Sequence, residues 1–366
     1  MGMPLSLRAA GTRRPIVVAI PARDEADRIG LCLAALHRQR VRPDTVLLLL
    51  NNCTDTTATV SRAMAPGLGF RLVVVIRRLP PPRATAGHAR RLAMTFAAAH
   101  AGRNGILLTT DADTVPPPDW IARNLAAIDA GADIVCGRAL IDAQDARLIP
   151  GHLHSDDALE RELTGLLDNL AWVLDPEPHD PPPRHTEASG ASLAVTACAY
   201  RKVGGVPAVR SGEDRAFVAA LWRLDAKVRH DPSVLVSVSV RLDGRAAGGM
   251  AETLRRRVKR RDGFTDAQLE PAQDTWRRFM LRRQVRLAWR AGQGTDELAR
   301  VLGMSGESLK HALAQAAFGM AWAAIEAASP PLVRQRVRFS DLEAEIAQAE
   351  NLLRPLLGSS DVMAAD

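Results

Sequence analysis

Short apolar runs recur along the first part of the chain: PIVVAI (15–20), TVLLLL (45–50), RLVVVI (71–76) and GILLTT (105–110), with ADIVCG (132–137) as a weaker fifth. Runs this short and this apolar fit strands covered on both faces. Between them, EADRIGLCLAALHRQ sets Ile29, Leu33 and Leu36 at helical spacing, and HARRLAMTFAAAH does the same with Leu92 and Phe96. The alternation predicts an α/β, Rossmann-like fold with a mostly parallel central sheet flanked by helices.

In such sheets ligands sit outside the carboxyl ends of the strands, so the residues after each run are where chemistry is sought. Pro21-Ala22-Arg23-Asp24-Glu25 follows the first run, Asn51-Asn52-Cys53-Thr54-Asp55 the second, and Asp111-Ala112-Asp113 the fourth. Two carboxylates one residue apart at a strand end can hold a hard divalent cation, which in turn neutralises a diphosphate. Taken alone, the pair also has a plain reading as a solvated turn capping the next helix.

Past residue 150 the alternation fades. DDALERELTGLLDNLAWVL reads as one amphipathic helix, DPEPHDPPPRH (175–185) as a proline-rich loop, and GASLAVTA and VLVSVSV as two strands around the helix GEDRAFVAALWRL. Beyond about 245 the chain is mainly helical and basic, closing with a stripe of Leu342, Ile346, Ala349 and Leu353 that Ser340 or Asp341 can cap. The expected organisation is a tail over 1–14, an α/β domain over 15–245 and a helical basic extension over 246–366.

Composition sets the outer limits. The chain has 366 residues, 47% of them hydrophobic, enough for real cores, and a net charge of +7 that favours anionic partners without choosing among them. Four scattered cysteines, Cys32, Cys53, Cys136 and Cys198, form neither a metal pair nor a disulfide framework and read as thiols of a reducing cytosol. No apolar run reaches membrane-spanning length, so the expectation is a cytoplasmic protein, with RRRVKRR (255–261) read either as a solvated face or as a surface for peripheral contact with an anionic membrane or acceptor.

The ordered motifs resemble those of the family 2 glycosyltransferases, which have the GT-A fold; the resemblance spans roughly residues 15–240. VVAIPARDEADRI is similar to the opening strand and its Pro-x-x-Asn-Glu turn, with Asp24 where Asn is commoner. LLNNCTDTTATV resembles the second-strand segment, ATAGHARRLAM the Gly-x-x-x-Ala/Arg-Asn segment, LTTDADTVPPPDW the metal-binding DxD, and GASLAVTACAYRKVGGVPAVRSGEDRAF the acceptor-side block ending in Glu-Asp.

The resemblance implies a nucleotide-diphosphate sugar donor, an acceptor hydroxyl and a divalent metal, Mn2+ or Mg2+. Pro21, Arg23, Glu25 and Asn51 would border the nucleotide, and Arg90 or Arg91 would contact the base or diphosphate. Asp111 and Asp113 would hold the metal, with His230 of VRHDP as a third ligand; the family often has a His after the last strand, where this chain reads VSVRLDGRAAGG. Asp214, beside Glu213, matches the carboxylate that deprotonates the acceptor in inverting members. The chemistry agrees: a hydroxyl attacking an anomeric carbon needs a base, and the departing diphosphate needs a cation. At a helix start, Glu213 and Asp214 have capping and dipole complementarity as their other reading.

GHLHSDD offers His152, His154, Asp156 and Asp157 as a second metal or acceptor site, or as exposed polar residues at a helix start. Arg241 and Arg245 in RLDGRAAGG can close over a diphosphate or be a surface loop. TDELARVLGMSGESLKHAL (295–313) has helix-turn-helix spacing, but its second helix carries few residues suited to base edges, so nucleic acid is not the expected partner. A nucleotidyltransferase would carry a glycine-rich loop after the first strand, and PARDEADRI has none. RRQVRLAWR only distantly echoes the Gln-x-x-Arg-Trp of processive synthases, so one sugar per encounter is expected, with inversion favoured over retention by the Glu-Asp placement.

Overall fold

The structure, a computed structural model, describes residues 13–147, 149–239 and 263–363. In chain order the α/β part contains β1 (Ile16–Ala22), α1 (Ile29–His37), β2 (Thr45–Asn51), α2 (Thr57–Met64), β3 (Arg71–Arg77), α3 (Ala86–Ala101), β4 (Ile106–Thr109), β5 (Thr114–Val115), α4 (Trp120–Asp129) and β6 (Ile134–Ile141). There follow α5 (Ala143–Ala146), α6 (Gly151–Leu174), β7 (Leu193–Thr196), α7 (Ala197–Lys202), α8 (Glu213–Arg223) and β8 (Val228–Val238). The remaining helices are α9 (Ala272–Ala291), α10 (Asp296–Val301), α11 (Gly306–Leu313), α12 (Phe318–Ala328) and α13 (Leu342–Met363).

The strands form one sheet in the order β3-β2-β1-β4-β7-β6-β8-β5. The β3-β2-β1-β4 half is parallel, so those four carboxyl ends share one edge. β7 runs antiparallel between β4 and β6, β8 lies parallel to β6, and the two-residue β5 returns antiparallel against β8. Alternate residues of the apolar strands serve different cores. Val18 and Ile20 pack with Ile29, Leu33 and Trp120 on one face, and Val17 and Ala19 pack with Ala93, Met94 and Phe217 on the other.

Two strand expectations shift. β3 is as apolar as its neighbours yet forms the sheet edge and is only half-buried, because β2 pairs it on one side alone. β8 begins at Val228, upstream of the VLVSVSV run. The helix α3 also buries a different face from the one its large residues mark: Gly87, Ala89, Arg90, Ala93, Met94 and Ala97 go inward while Leu92 and Phe96 are half-buried. Small residues let its backbone approach the sheet closely.

The helical layer draws on segments from both sides of residue 245. Leu163 and Leu167 of α6 share a core with Leu269, Ala272, Val337, Leu342 and Ala349, while Leu170 and Leu174 meet Leu353. Each buried leucine is worth about 1.5–3 kcal/mol, so α6 is an integral part of the C-terminal layer. A second contact joins α12 to α8. The Asp225 carboxylate accepts from the N–H groups of Phe318 at 2.8 Å and Gly319 at 2.7 Å, and a Cβ at Gly319 would lie 2.0 Å from the Trp222 carbonyl oxygen.

The helix-turn-helix-like segment is α10 and α11. Their apolar residues Leu298, Ala299, Leu302, Leu309 and Leu313 pack into one core with Leu281 and Val285 of α9 and Phe318 and Ile325 of α12. The outward side of α11 presents Glu307, Ser308, Lys310 and His311, without the arginine or amide side chains that read base edges. The spacing therefore reports helix packing.

Candidate active site

The loops after β1 and β2 are tied together at the carboxyl edge. Asp24, in a left-handed conformation with φ 54°, accepts from the N–H of Thr54 at 2.6 Å and of Asp55 at 3.2 Å. Asp55 in turn accepts from the Ala26 N–H at 3.0 Å, and the Glu25 N–H donates to Thr57 Oγ1 at 2.8 Å. Asp24, Cys53 and Asp55 bring metal-type ligand atoms within 4.8 Å of one another, but these bonds give the group a loop-locking role. Asn52, with φ 55°, exchanges two amide hydrogen bonds of 3.0 Å with the backbone of Leu79. Pro21, Arg23, Glu25 and buried Asn51 thus stand along one braced rim.

β4 delivers the two aspartates to the same edge. Ala112 between them is buried, so the chain turns inward there while Asp111 and Asp113 remain part-exposed. The Ser239 hydroxyl, at the end of β8, donates to Asp113 Oδ2 at 3.1 Å. Behind the pair the Cys32 thiol contacts the Asp111 carbonyl oxygen. Burial and then the charges of Asp113 and Asp111 push that thiol far above its ordinary range, so the negative field of the pair reaches into the core.

Arg90 organises the space between the two carboxylate pairs. Its side chain is only 7% exposed. Its Nε donates to Glu213 Oε1 at 2.8 Å, Nη1 to Thr109 Oγ1 at 2.8 Å and to the Gly190 carbonyl at 2.9 Å, and Nη2 to Asp111 Oδ1 at 2.6 Å. Burial works against its charge, but Asp111 and Glu213 more than offset that and raise its pKa further. Asp214, next along α8, stays half-buried. Its Oδ2 accepts from the Gly190 N–H at 2.9 Å and its Oδ1 from the Arg215 N–H at 2.8 Å.

Several expected roles change. Arg90 does not present its fork to a nucleotide, because protein acceptors take four of the five N–H groups a guanidinium has. Arg91 turns away to the carbonyl of Val206. Glu213 is buried and committed to Arg90, while Asp214 is the part-exposed carboxylate of the pair.

His230 does not join the aspartates. It lies on β8 eight residues before Val238, the partner of Thr114, which is about 26 Å of extended chain. There its Nδ1 is 2.8 Å from Asp180 Oδ2, with the rings of His185 and Trp222 packed around it. Burial opposes its charge, but hydrogen bonds and charge from Cys136 and Asp180 push the imidazole up to about 10.

Among the described residues, His154, Asp156 and Asp157 do not form a metal-type group. His154 is exposed and its Nε2 meets the Ala146 carbonyl, Asp157 pairs with Arg161, and Asp156 is buried. His152 lies in the first turn of α6, its side chain outside what is described. Arg241, Arg245 and the 255–261 run also lie outside the described residues.

Sequence reasoning missed Gly190 and Thr109 as partners of Arg90, and Asp180 as the partner of His230. One signal separates Arg90 from Arg91: Arg90 shares the small-residue face of α3 with Gly87, Ala93 and Ala97.

The parallel half of the sheet carries Asp111 and Asp113 beyond the carboxyl end of β4, the edge at which open α/β sheets bind ligands. Residues 17–179 match the family model Glycosyl transferase family 2. No protein of curated function matches the chain.

Among solved structures, the chain is similar to the mannosyltransferase PcManGT from Pyrobaculum calidifontis in complex with GDP-Man and Mn2+. Identity there is 18%, covering 96% of this chain and 85% of that one, with a TM-score of 0.44. It is similar to S. aureus TarS 1–349 in complex with UDP at 14% identity, covering 86% and 91%, with a TM-score of 0.44. It is also similar to glucosyl-3-phosphoglycerate synthase from Mycobacterium tuberculosis, in complex with Mn2+, UDP and glucosyl-3-phosphoglycerate, at 18% identity, covering 78% and 83%, with a TM-score of 0.40.

Proposed function

We propose that this chain moves one sugar per encounter from a nucleoside-diphosphate donor to an acceptor hydroxyl, with inversion at the anomeric carbon. The observation that carries the reading is that Asp111 bonds one buried guanidinium directly while Asp214 is joined to it through Gly190, both carboxylates being part-exposed. A displacement at carbon needs both ends served at once, by a base at the attacking hydroxyl and a positive charge at the leaving diphosphate.

In this reading Asp214 takes the acceptor proton, with its carboxylate held by the N–H groups of Gly190 and Arg215. Pro21, Arg23, Glu25 and Asn51 line the nucleotide side. Asp111 and Asp113, part-exposed just beyond β4, supply hard oxygen donors of the kind that suit Mn2+ or Mg2+. A cation bound there would supply the charge that the departing diphosphate requires.

Non-processive transfer is supported by the fate of RRQVRLAWR. Arg286 is taken up by Asp175 and Glu177, and the Trp289 indole N–H donates to the Gln315 carbonyl at 2.9 Å. The segment braces α9 against the loop after α6. Among the described residues no helix is long and apolar enough to cross a membrane. Peripheral contact with an anionic membrane, through the 255–261 run, is the remaining part of the reading.

The test is thermal stability against UDP, GDP, CDP and TDP and their sugars, with and without Mn2+, on wild type and Asp113→Ala. A metal-dependent shift for one base that vanishes in the variant supports the donor site. Silence of the wild type across the panel refutes it.

A further inference from the structure

Arg90, on α3, is the one described side chain bonded to both carboxylate pairs, and its contacts come from three separate parts of the chain: the end of β4, the loop before β7 and the first turn of α8. A guanidinium is planar and rigid, so three nitrogens with fixed directions set the relative positions of Asp111, Thr109, Gly190 and Glu213 as a single unit. Gly190 sits against that plane. A Cβ there would lie 2.4 Å from Arg90 Cζ, so only a glycine lets the backbone come this close. The same glycine donates its N–H to Asp214 while its carbonyl receives Arg90.

We infer that Arg90 is a positioning residue that sets the distance between the donor-side carboxylate Asp111 and the acceptor-side carboxylate Asp214, without itself touching the nucleotide or the sugar. The inference rests on the transferase reading above. It assigns Arg90 to neither substrate pocket but to the spacing between them. Asp111 keeps its second oxygen for the donor side because Oδ1 is already taken by Arg90. Asp214 is fixed by Gly190, whose own place is fixed by Arg90.

A buried ion pair is by itself weak evidence of a stabilising role, and the same network could be mere scaffolding. The two roles part company kinetically. A misplacement of about 1 Å between reacting groups can cost 10²-fold in rate with the binding pockets intact, whereas loss of scaffolding lowers stability and leaves the turnover of folded molecules unchanged.

The experiment uses Arg90→Lys, which keeps the charge and loses the fork, and Gly190→Ala, which keeps Arg90 and forces its plane away. Release of nucleoside diphosphate from the nucleotide sugar, with water as acceptor, gives kcat and KM. Titration with Mn2+ and the matching nucleoside diphosphate gives Kd. Both variants are expected to lose about 10²-fold in kcat, while Kd for the diphosphate stays within about threefold.

Loss of diphosphate binding in step with kcat would make Arg90 a donor ligand and overturn the inference, as would unchanged kcat in both folded variants. If Arg90→Lys does not fold, Gly190→Ala decides alone, since it leaves every charge in place. A wild type that neither binds nor hydrolyses any donor overturns the transferase reading, and this inference falls with it. A wild type that works beside variants that fail to bind overturns only the inference.

Discussion

The backbone N–H of Gly190 lies 2.9 Å from Asp214 Oδ2, placing a glycine of the loop before β7 directly on the carboxylate proposed as base. A neutral amide in place of Asp214 can keep much of that geometry and cannot take a proton. Asp214→Asn is therefore expected to lower transfer by about 10² to 10⁴-fold with the metal-dependent diphosphate shift retained. Product formation and thermal shift on the same preparation check it, and loss of both together would show that Asp214 serves the donor side.

Asp113 Oδ2 accepts from the Ser239 hydroxyl at 3.1 Å. Chelation of divalent ions with EDTA and the Asp113→Ala change are expected to have the same effect, removal of the nucleoside-diphosphate shift. Calorimetry with and without added Mn2+ separates them, because Mn2+ restores binding to the chelated wild type and not to the variant.

His230 makes stability depend on pH in a stated direction. Its folded value is pushed up to about 10 against an ordinary 6.5. The charged imidazole therefore contributes its full stabilisation below about pH 6.5, and this fades as pH rises toward 10. His185, whose ring faces it, is held down at about 3 by burial and then by the charges of His230 and Arg138. It stays neutral in the fold, so it costs stability as pH falls from 6.5 toward 3. The urea midpoint of wild type minus that of His230→Gln should be largest in mildly acidic buffer and shrink through the alkaline range; a difference that grows above pH 8 would contradict the assignment.

Two glycines in helices should answer oppositely to alanine. Gly165 of α6 is exposed with nothing within 4 Å of an added Cβ, so Gly165→Ala should stabilise by about 0.5–1 kcal/mol. At Gly319 the added methyl meets the Trp222 carbonyl at 2.0 Å and Arg223 Cα at 2.8 Å, both main chain. Gly319→Ala should destabilise, by about 1–3 kcal/mol if α12 shifts to relieve the clash. Denaturant titration of both proteins reads the two signs.

How far the sequence was readable follows from what each signal measures. β1, β2 and β4 are legible because both their faces are covered, which leaves an unbroken apolar run. The same run in β3 says nothing about which strand lies at the edge, since that depends on pairing. The two-residue β5 is too short for any periodicity. The aspartates were legible from their place after a strand. The role of Arg90 was not, because its partners Asp111, Gly190 and Glu213 lie 21, 100 and 123 residues away, and no local pattern encodes such contacts. His230 was read from the resemblance to a late histidine of the family, and the fold pairs it with Asp180, 50 residues away in the chain.

The sharing of α6 with the C-terminal layer has a consequence for biosynthesis. When the ribosome has released α6, the residues that cover Leu163, Leu167, Leu170 and Leu174 have not yet been made. The nascent chain must carry an amphipathic helix with a bare leucine stripe until α9 and α13 emerge, an exposure that invites chaperone capture or self-association. A fragment ending at the last sheet strand would keep that stripe permanently open, so the α/β half should not be obtainable as a well-behaved separate piece.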